Sequence, residues 1–448
     1  MTWASGSSAP RAVVVGGGVV GLSCGYYLAR GGAEVVVVEQ AHIGAGASSG
    51  NAGTVSAGHP PLNRPGRVAS AVRQMLDPTS PLYVKPRWDP ALWRWLLGFA
   101  RYCTDEHVEH AMRVMAPLGK DALALFDALM AEERIECEYR PQGYFDVCRT
   151  EKGLEGAKHE AEIIERYGYH PEVVDGRELR RREPAFSPEL LGGVFYPEAA
   201  ILRPSSFLVG LADALRRHGG VIREGVEVEA LEIASGRVTG VRVRRSGTEG
   251  ALTGEVPGAG GRGSRRTSYS GGVIPADAVV VATGAASVDL AGQVDVRLPV
   301  TAGKGYHRDI EVGPNGAPPL RVACVLSETS VFCTPMDTFV RFAGTMEFSG
   351  RNEVMRPPRL RQLTRAAREA FPDLGTARPR SEWVGQRPMS MDGLPIVGPI
   401  GGVEGLCVAT GHGMLGLTLG PVTGQMVANL LLEGGDPRLD ALSPGRFA

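Results

Sequence analysis

RAVVVGGGVVGLSCGYYLARGGAEVVVVE, residues 11–39, is the stretch whose reading decides the fold. RAVVV is a short apolar run that suits a buried strand. Gly16–Gly18 make a turn, residues 19–30 follow as a helix stopped by Gly31–Gly32, and Val35–Val38 is the next strand. This is one βαβ unit. Gly16, Gly18 and Gly21 spell GxGxxG between the strand and the helix. Gly16 permits the tight turn, Gly18 lets the backbone approach a pyrophosphate, and Gly21 lets helix and strand pack closely. The helix then begins at Val19 and Val20, whose amides meet phosphate oxygens at the positive end of the helix. Glu39, followed by Gln40, closes the second strand 18 residues after Gly21. A carboxylate there suits ribose hydroxyls and disfavours a 2′-phosphate. Strand, helix and acid together are far more specific than the glycines alone.

Around this unit the composition is that of an ordinary globular chain. The 448 residues suit two domains, and 22% charged with 43% hydrophobic residues excludes a mainly disordered chain. A net charge of −1 argues against a nucleic-acid partner. Glycine is the exception: 61 of 448 residues is about twice the usual share, with no three-residue period. The excess marks turns, close backbone approaches or a flexible segment. The seven cysteines form no CxxC or zinc-type spacing, so free thiols and no metal are expected. With no secretory signal and no long apolar span, the expected location is the cytoplasm, with peripheral contact at the inner membrane face left open.

Residues 41–66 read as a long loop, and the Trp-rich pattern from Pro90 to Met130 as helical. For Trp88, Trp93, Trp95 and Phe99, core packing is the default reading and membrane docking or pocket lining the sharper one. Ser205 or Ser206 is the expected cap of a helix ending at Gly219–Gly220. Nine of the 27 residues at 246–272 are glycine, which reads as a flexible hairpin extension. Strands are expected near 221–245, 296–312, 321–334, 338–346 and 404–410, a basic helix near 358–371, and a last helix from about Pro421. No second βα repeat follows Glu39, and a second strand-plus-glycine segment, VVVATGAAS (279–287), comes only about 240 residues later. A long ligand such as FAD touches both segments, where NAD would call for a continuing repeat.

Further blocks carry a resemblance: SSGNAGTVSAG, GGVFYPEAAILRP, VTAGKGY, EWVGQRPMSMDGLPIVG and ATGHGMLGLTLGPVTGQMVANLL. In order and over nearly the whole chain, the sequence resembles the glutathione-reductase-like FAD family of D-amino-acid dehydrogenases, glycine oxidase and sarcosine oxidase. It is most similar to the D-amino-acid dehydrogenase branch. The resemblance implies an α/β fold: a Rossmann FAD domain from 10–80, 200–295 and 388–445, interwoven with an antiparallel-sheet substrate domain from 81–199 and 296–387. It also implies that Ser48, Ser49, Asn51, Ala52 and Gly53 line the pyrophosphate and ring of FAD. Val228, Thr283 and Gly284 join them. Gly411, Gly413, Met414, Leu415, Gly416, Leu417 and Thr418 lie under the flavin C2=O edge, where helix-start amides offset charge.

An amino-acid flavoenzyme needs a carboxylate anchor, and Arg387 in GQRPMSMDG is the candidate, since its fork matches a carboxylate. The matching arginine of glycine oxidase has this role. Tyr306, with Lys304 in the GKGY strand, is expected to enter the active site and hydrogen-bond a carboxylate or amine. His59 falls where relatives place a group near the substrate, and His412 is expected to pack on the flavin or to be structural. Two departures stand out. Met414 and Leu415 replace the cation that relatives carry in this loop, and Gly385 stands where sarcosine oxidase attaches its flavin, so non-covalent FAD is expected. The expected reaction passes hydride from Cα of an amino acid, a D-amino acid favoured, to flavin N5. The imino acid hydrolyses to a 2-oxo acid and ammonia, and oxygen or a quinone-type carrier takes the electrons. A secondary amine such as sarcosine or a proline-type substrate is the alternative, and a non-catalytic FAD scaffold the remote one.

Overall fold

The computed structural model describes residues 9–58, 60–75, 80–246, 271–312, 320–374 and 379–447. His59 and nearly all of the 246–272 insertion therefore lie outside the described residues. Two large sheets organise the rest. The first has six strands in the spatial order Ile396–Pro399, Leu406–Thr410, Ala278–Val281, Arg11–Val15, Glu34–Glu39 and Val221–Glu224. Its pairings are parallel except the antiparallel edge pair 396–399 with 406–410. Both faces are covered, which is why the strands read as unbroken valine runs. Ala12 and Val14 join a core with the helices Val19–Arg30, Pro204–Arg217 and Gly416–Ala428. Val13 and Val15 face a three-stranded antiparallel sheet, Val226–Ala234, Arg237–Arg245 and Gly272–Pro275.

The second sheet runs in the order Pro379–Ser390, Val300–Glu311, Phe339–Phe348, Val331–Pro335, Ala323–Leu326, Tyr144–Cys148, Gly192–Tyr196 and Glu172–Asp175, with Leu82–Val84 paired beside 339–348. It is mostly antiparallel, and the helix Pro357–Ala370 packs on one face. The 29-residue helix Asp105–Glu133 joins the two units. Its Val108, Met112 and Ala116 pack with Tyr144 and Ile164, and its Leu118, Phe126 and Leu129 share a core with Leu22 and Phe207.

Some expected boundaries shift for local reasons. The helix expected to be capped by Ser205 or Ser206 starts at Pro204, whose fixed φ and missing N–H suit a first turn. The last helix begins at Gly416 and carries Pro421 inside it. It runs so close to the 19–30 helix that a Cβ on Gly424 would stand 2.5 Å from the Ser23 backbone. The loop 41–66 contains a strand, Thr54–Ser56, paired with Ala199–Ile201. The Trp-rich region divides: Trp95 is buried, with Nε1 donating to Met389 O at 3.0 Å, whereas Trp88 is 90% and Trp93 49% exposed.

Candidate functional site

A cavity of about 1080 Å³ lies between the carboxyl ends of the parallel strands and one face of the second sheet. At one end of it Gly16 and Gly21 have the steric roles their spacing implies. Gly16 has φ +112°, and a Cβ there would stand 2.6 Å from Ala282 O. A Cβ on Gly21 would stand 1.9 Å from Gly16 O. Gly18, Val19 and Val20 line the cavity, and Val19 N donates to Ser48 Oγ at 3.0 Å. Glu39 also lines it, beside Gln40. Its carboxylate is fixed by Gly17 N at 2.8 Å and Ala41 N at 2.9 Å. Ser48, Asn51, Ala52, Val228, Thr283 and Gly284 face the same space. Gly21, Ser49, Gly53 and Gly411 do not. They shape the turns behind it, as where Gly53, at φ +88°, donates its N–H to Asn51 Oδ1 at 2.8 Å.

Further along, Gly413, Met414, Leu415, Gly416, Leu417 and Thr418 line the wall. The helix beginning at Gly416 has no side-chain cap, so its first amides are free for an electron-rich ligand edge. The helix beginning at Val19 also lacks a cap from its N-cap residue, Gly18. Two helix starts, blocked glycine Cβ positions and a carboxylate at the second strand end fit a long dinucleotide such as FAD.

The substrate end is built on two paired strands. Their register sets Gly303 opposite Arg387, Gly305 opposite Gly385 and His307 opposite Trp383. The Arg387 guanidinium lies over Gly305, where a Cβ would stand 2.2 Å from its Cζ. Its Nη1 donates to Thr345 O at 2.8 Å. Thr345 has φ +61°, a left-handed conformation uncommon for threonine, in the bulge that turns this carbonyl. Arg387 forms no ion pair among the described residues. Burial pushes its pKa down to about 10, so it stays charged at neutral pH.

Tyr306 lines the same cavity, but its ring and hydroxyl turn away from Arg387. Strand alternation sends Lys304 and Tyr306 to the reverse face. There Tyr306 packs with Phe342, Leu360 and Leu363, and its hydroxyl donates to Glu347 Oε2 at 2.8 Å. Lys304 Nζ meets Glu347 Oε1 at 3.0 Å, Asn352 Oδ1 at 2.9 Å and Val354 O at 2.8 Å. The expected substrate hydrogen bond from Tyr306 is thus replaced by a buried structural one. His412 lines the cavity, with Nε2 2.9 Å from Thr423 Oγ1 and a buried, unpartnered Nδ1. Burial pushes its pKa down to about 4, so it is neutral at physiological pH. Trp383, Phe332 and Ala343 also line the cavity and were not foreseen. For Trp383 the alternation W-x-G-x-R at 383–387 against G-x-G-x-H at 303–307 was the signal in the sequence; Phe332 and Ala343 had none.

Comparison with known proteins gives the same frame. The family described as FAD dependent oxidoreductase (DAO) matches residues 11–430. A D-amino acid dehydrogenase of Methylobacterium nodulans is 34% identical over 427 residues, covering 94% of this chain and 95% of that protein. Another, from Xanthobacter autotrophicus, is 33% identical over 447 residues, covering 98% and 99%. Among solved structures, glycine oxidase from Bacillus cereus superposes with a TM-score of 0.72 at 22% identity, over 96% of this chain and 98% of that one. L-proline dehydrogenase from P. horikoshii superposes with a TM-score of 0.71 at 18% identity, over 98% of each chain. These two share the fold.

Proposed function

The chain belongs to the FAD dependent oxidoreductase (DAO) family, and from that premise we propose that it oxidises an α-amino acid, a D-amino acid in preference, with Arg387 holding the carboxylate. One observation carries this reading. Arg387 is a cation in the cavity wall with one bond to a neutral carbonyl and no carboxylate of its own. Arg387 is partly buried, a cation in an enclosed wall without an anion is costly, and an anionic ligand supplies the partner. FAD, when bound, accepts the hydride that leaves Cα. The amine proton passes to water, since His412, with its pKa pushed down to about 4 by burial, is a weak base. The resulting imine hydrolyses to a 2-oxo acid and ammonia. Anaerobic bleaching of the flavin by a panel of D- and L-amino acids tests the reading; no bleaching by any D-amino acid overturns it.

Met414 and Leu415 favour a second reading. They are apolar residues of the cavity wall, which suits a secondary amine or ring such as sarcosine or a proline-type substrate. The same panel, with those amines added, separates the two. We also propose that FAD is held without a covalent bond, because none of the seven cysteines lines the cavity. A flavin mass left on the denatured peptide would sink that proposal.

For the electron acceptor we propose oxygen or a quinone-type carrier, the latter met at a membrane. No helix among the described residues is long and apolar enough to cross one. Between 61 and 101, however, seven basic residues face two acidic ones, in a chain of net charge −1. The helix Arg67–Met75 buries no residue and shows Val68, Val72 and Met75, while Trp88, Trp93 and Leu97 are exposed nearby in sequence. Indoles and arginines of this kind suit an anionic bilayer surface. Cosedimentation with phosphatidylglycerol vesicles, lost in Trp88→Ser/Trp93→Ser, is the expected result.

A further inference from the structure

The loop at Ser48–Gly53 is gripped from the substrate side. Arg341 Nη1 donates to Ser49 O at 3.2 Å and to Asn51 O at 2.8 Å. His307 Nδ1 lies 2.9 Å from Gly50 O and must carry its proton there, because a carbonyl only accepts. Three consecutive carbonyls thus turn into the second sheet. In a trans peptide the N–H points opposite to the C=O. The amides of Gly50 and Ala52 therefore face away from Arg341, and both residues line the cavity.

The grip is itself held. The other edge of the Arg341 guanidinium meets Asp309, Nε to Oδ1 at 2.8 Å and Nη2 to Oδ2 at 3.0 Å, and Ser381 Oγ donates to Asp309 Oδ2 at 2.8 Å. Arg341, Asp309 and His307 are all buried. Trp383 stacks on His307 with ring centroids 5.3 Å apart, and a Cβ on Gly50 would stand 2.1 Å from its indole. His307 and Asp309 share the Val300–Glu311 strand with Gly305, the residue beneath Arg387. Trp383 precedes Arg387 by four residues on the next strand. One sheet face therefore carries both the loop grip and the free cation.

We propose that Arg341, oriented by Asp309, is a positioning residue that sets the 48–53 loop, and through its amides the flavin, relative to Arg387. It acts through the backbone it holds. The inference rests on FAD binding in this cavity and not on which amine is oxidised, and its readouts need no turnover. Arg341→Lys keeps a charge beside Asp309 but cannot reach both carbonyls with a rigid fork. The apoprotein variant is expected to keep its melting temperature while its Kd for FAD rises about tenfold or more. The visible absorption bands of the flavin it does bind should shift. An unchanged FAD Kd and spectrum overturns the proposal, as does a lowered apoprotein melting temperature with FAD affinity intact. If Arg341→Lys fails to fold, the isosteric Asp309→Asn must show the weaker FAD binding and the shifted bands. Wild-type values in that variant likewise overturn it.

Discussion

Arg387 and Lys304 are cations on neighbouring strands of one sheet, one register step apart, and they lead opposite lives. Lys304 donates to Asn352 and Val354 and pairs as an ion with Glu347, and Arg356 approaches the same carboxylate at 3.2 Å. Arg387, with five donors, has its bond to Thr345 O and no anion. The first is a closed account on the reverse face; the second stays open toward the cavity. Completeness of hydrogen bonding separates a structural cation from a proposed binding one better than motif membership does, since Lys304 in GKGY and Arg387 in GQRPMSMDG both sit in motifs.

Substitutions can break this contrast or sharpen it. The largest effect is expected from Arg387→Ala, which should raise the Kd for the amino-acid substrate by about a thousandfold, read by flavin bleaching, with FAD content unchanged. An unchanged Kd would remove the carboxylate assignment. Lys304→Met should do the reverse: leave substrate Kd alone and lower unfolding stability by about 2 kcal/mol, because it removes the buried cation beside Glu347 and leaves that carboxylate only Arg356 and Tyr306. A denaturant titration reads it. Gly305→Ala inserts a methyl where the guanidinium lies, and about a tenfold weaker substrate Kd is expected with little loss of stability. Tyr306→Phe should cost about 1 kcal/mol of stability through its lost bond to Glu347 and leave kcat/KM intact. A collapse of kcat/KM in that variant would return Tyr306 to the active site. The smallest effect is expected from His412→Asn. With the His412 pKa pushed down to about 4, the imidazole gains its proton only below that pH, so the pH profile of kcat should keep its shape from neutral to mildly acidic conditions.

What could be read from the sequence follows from how local each feature is. The GxGxxG turn and Glu39 are contained in one βαβ unit, and the strand–helix–strand pattern around them appears where expected. Arg387 was legible because its motif is contiguous. The bond of the Tyr306 hydroxyl to Glu347 was hidden because a side chain's direction depends on strand parity against a partner about 80 residues away, and only the register reveals it. Arg341 was invisible for a stronger reason: its partners Ser49 and Asn51 lie 292 and 290 residues away. The Pro421 boundary failed because proline suggested a helix start, while close packing on the 19–30 helix sustains the helix through it. Trp88, Trp93 and Trp95 share one composition signal, and only packing against Met389 and Phe348 singles out Trp95.

The helix Asp105–Glu133 has a mechanical consequence. At about 1.5 Å per residue its 29 residues, with Pro117 among them, span about 43 Å; the first half packs into both cores and the second half into one. A hinge rotation between the two units would have to pull that first half from one of its two apolar seats. Traffic through the cavity is therefore expected to depend on small movements at its rim, with the nucleotide and amine ends travelling as one rigid frame.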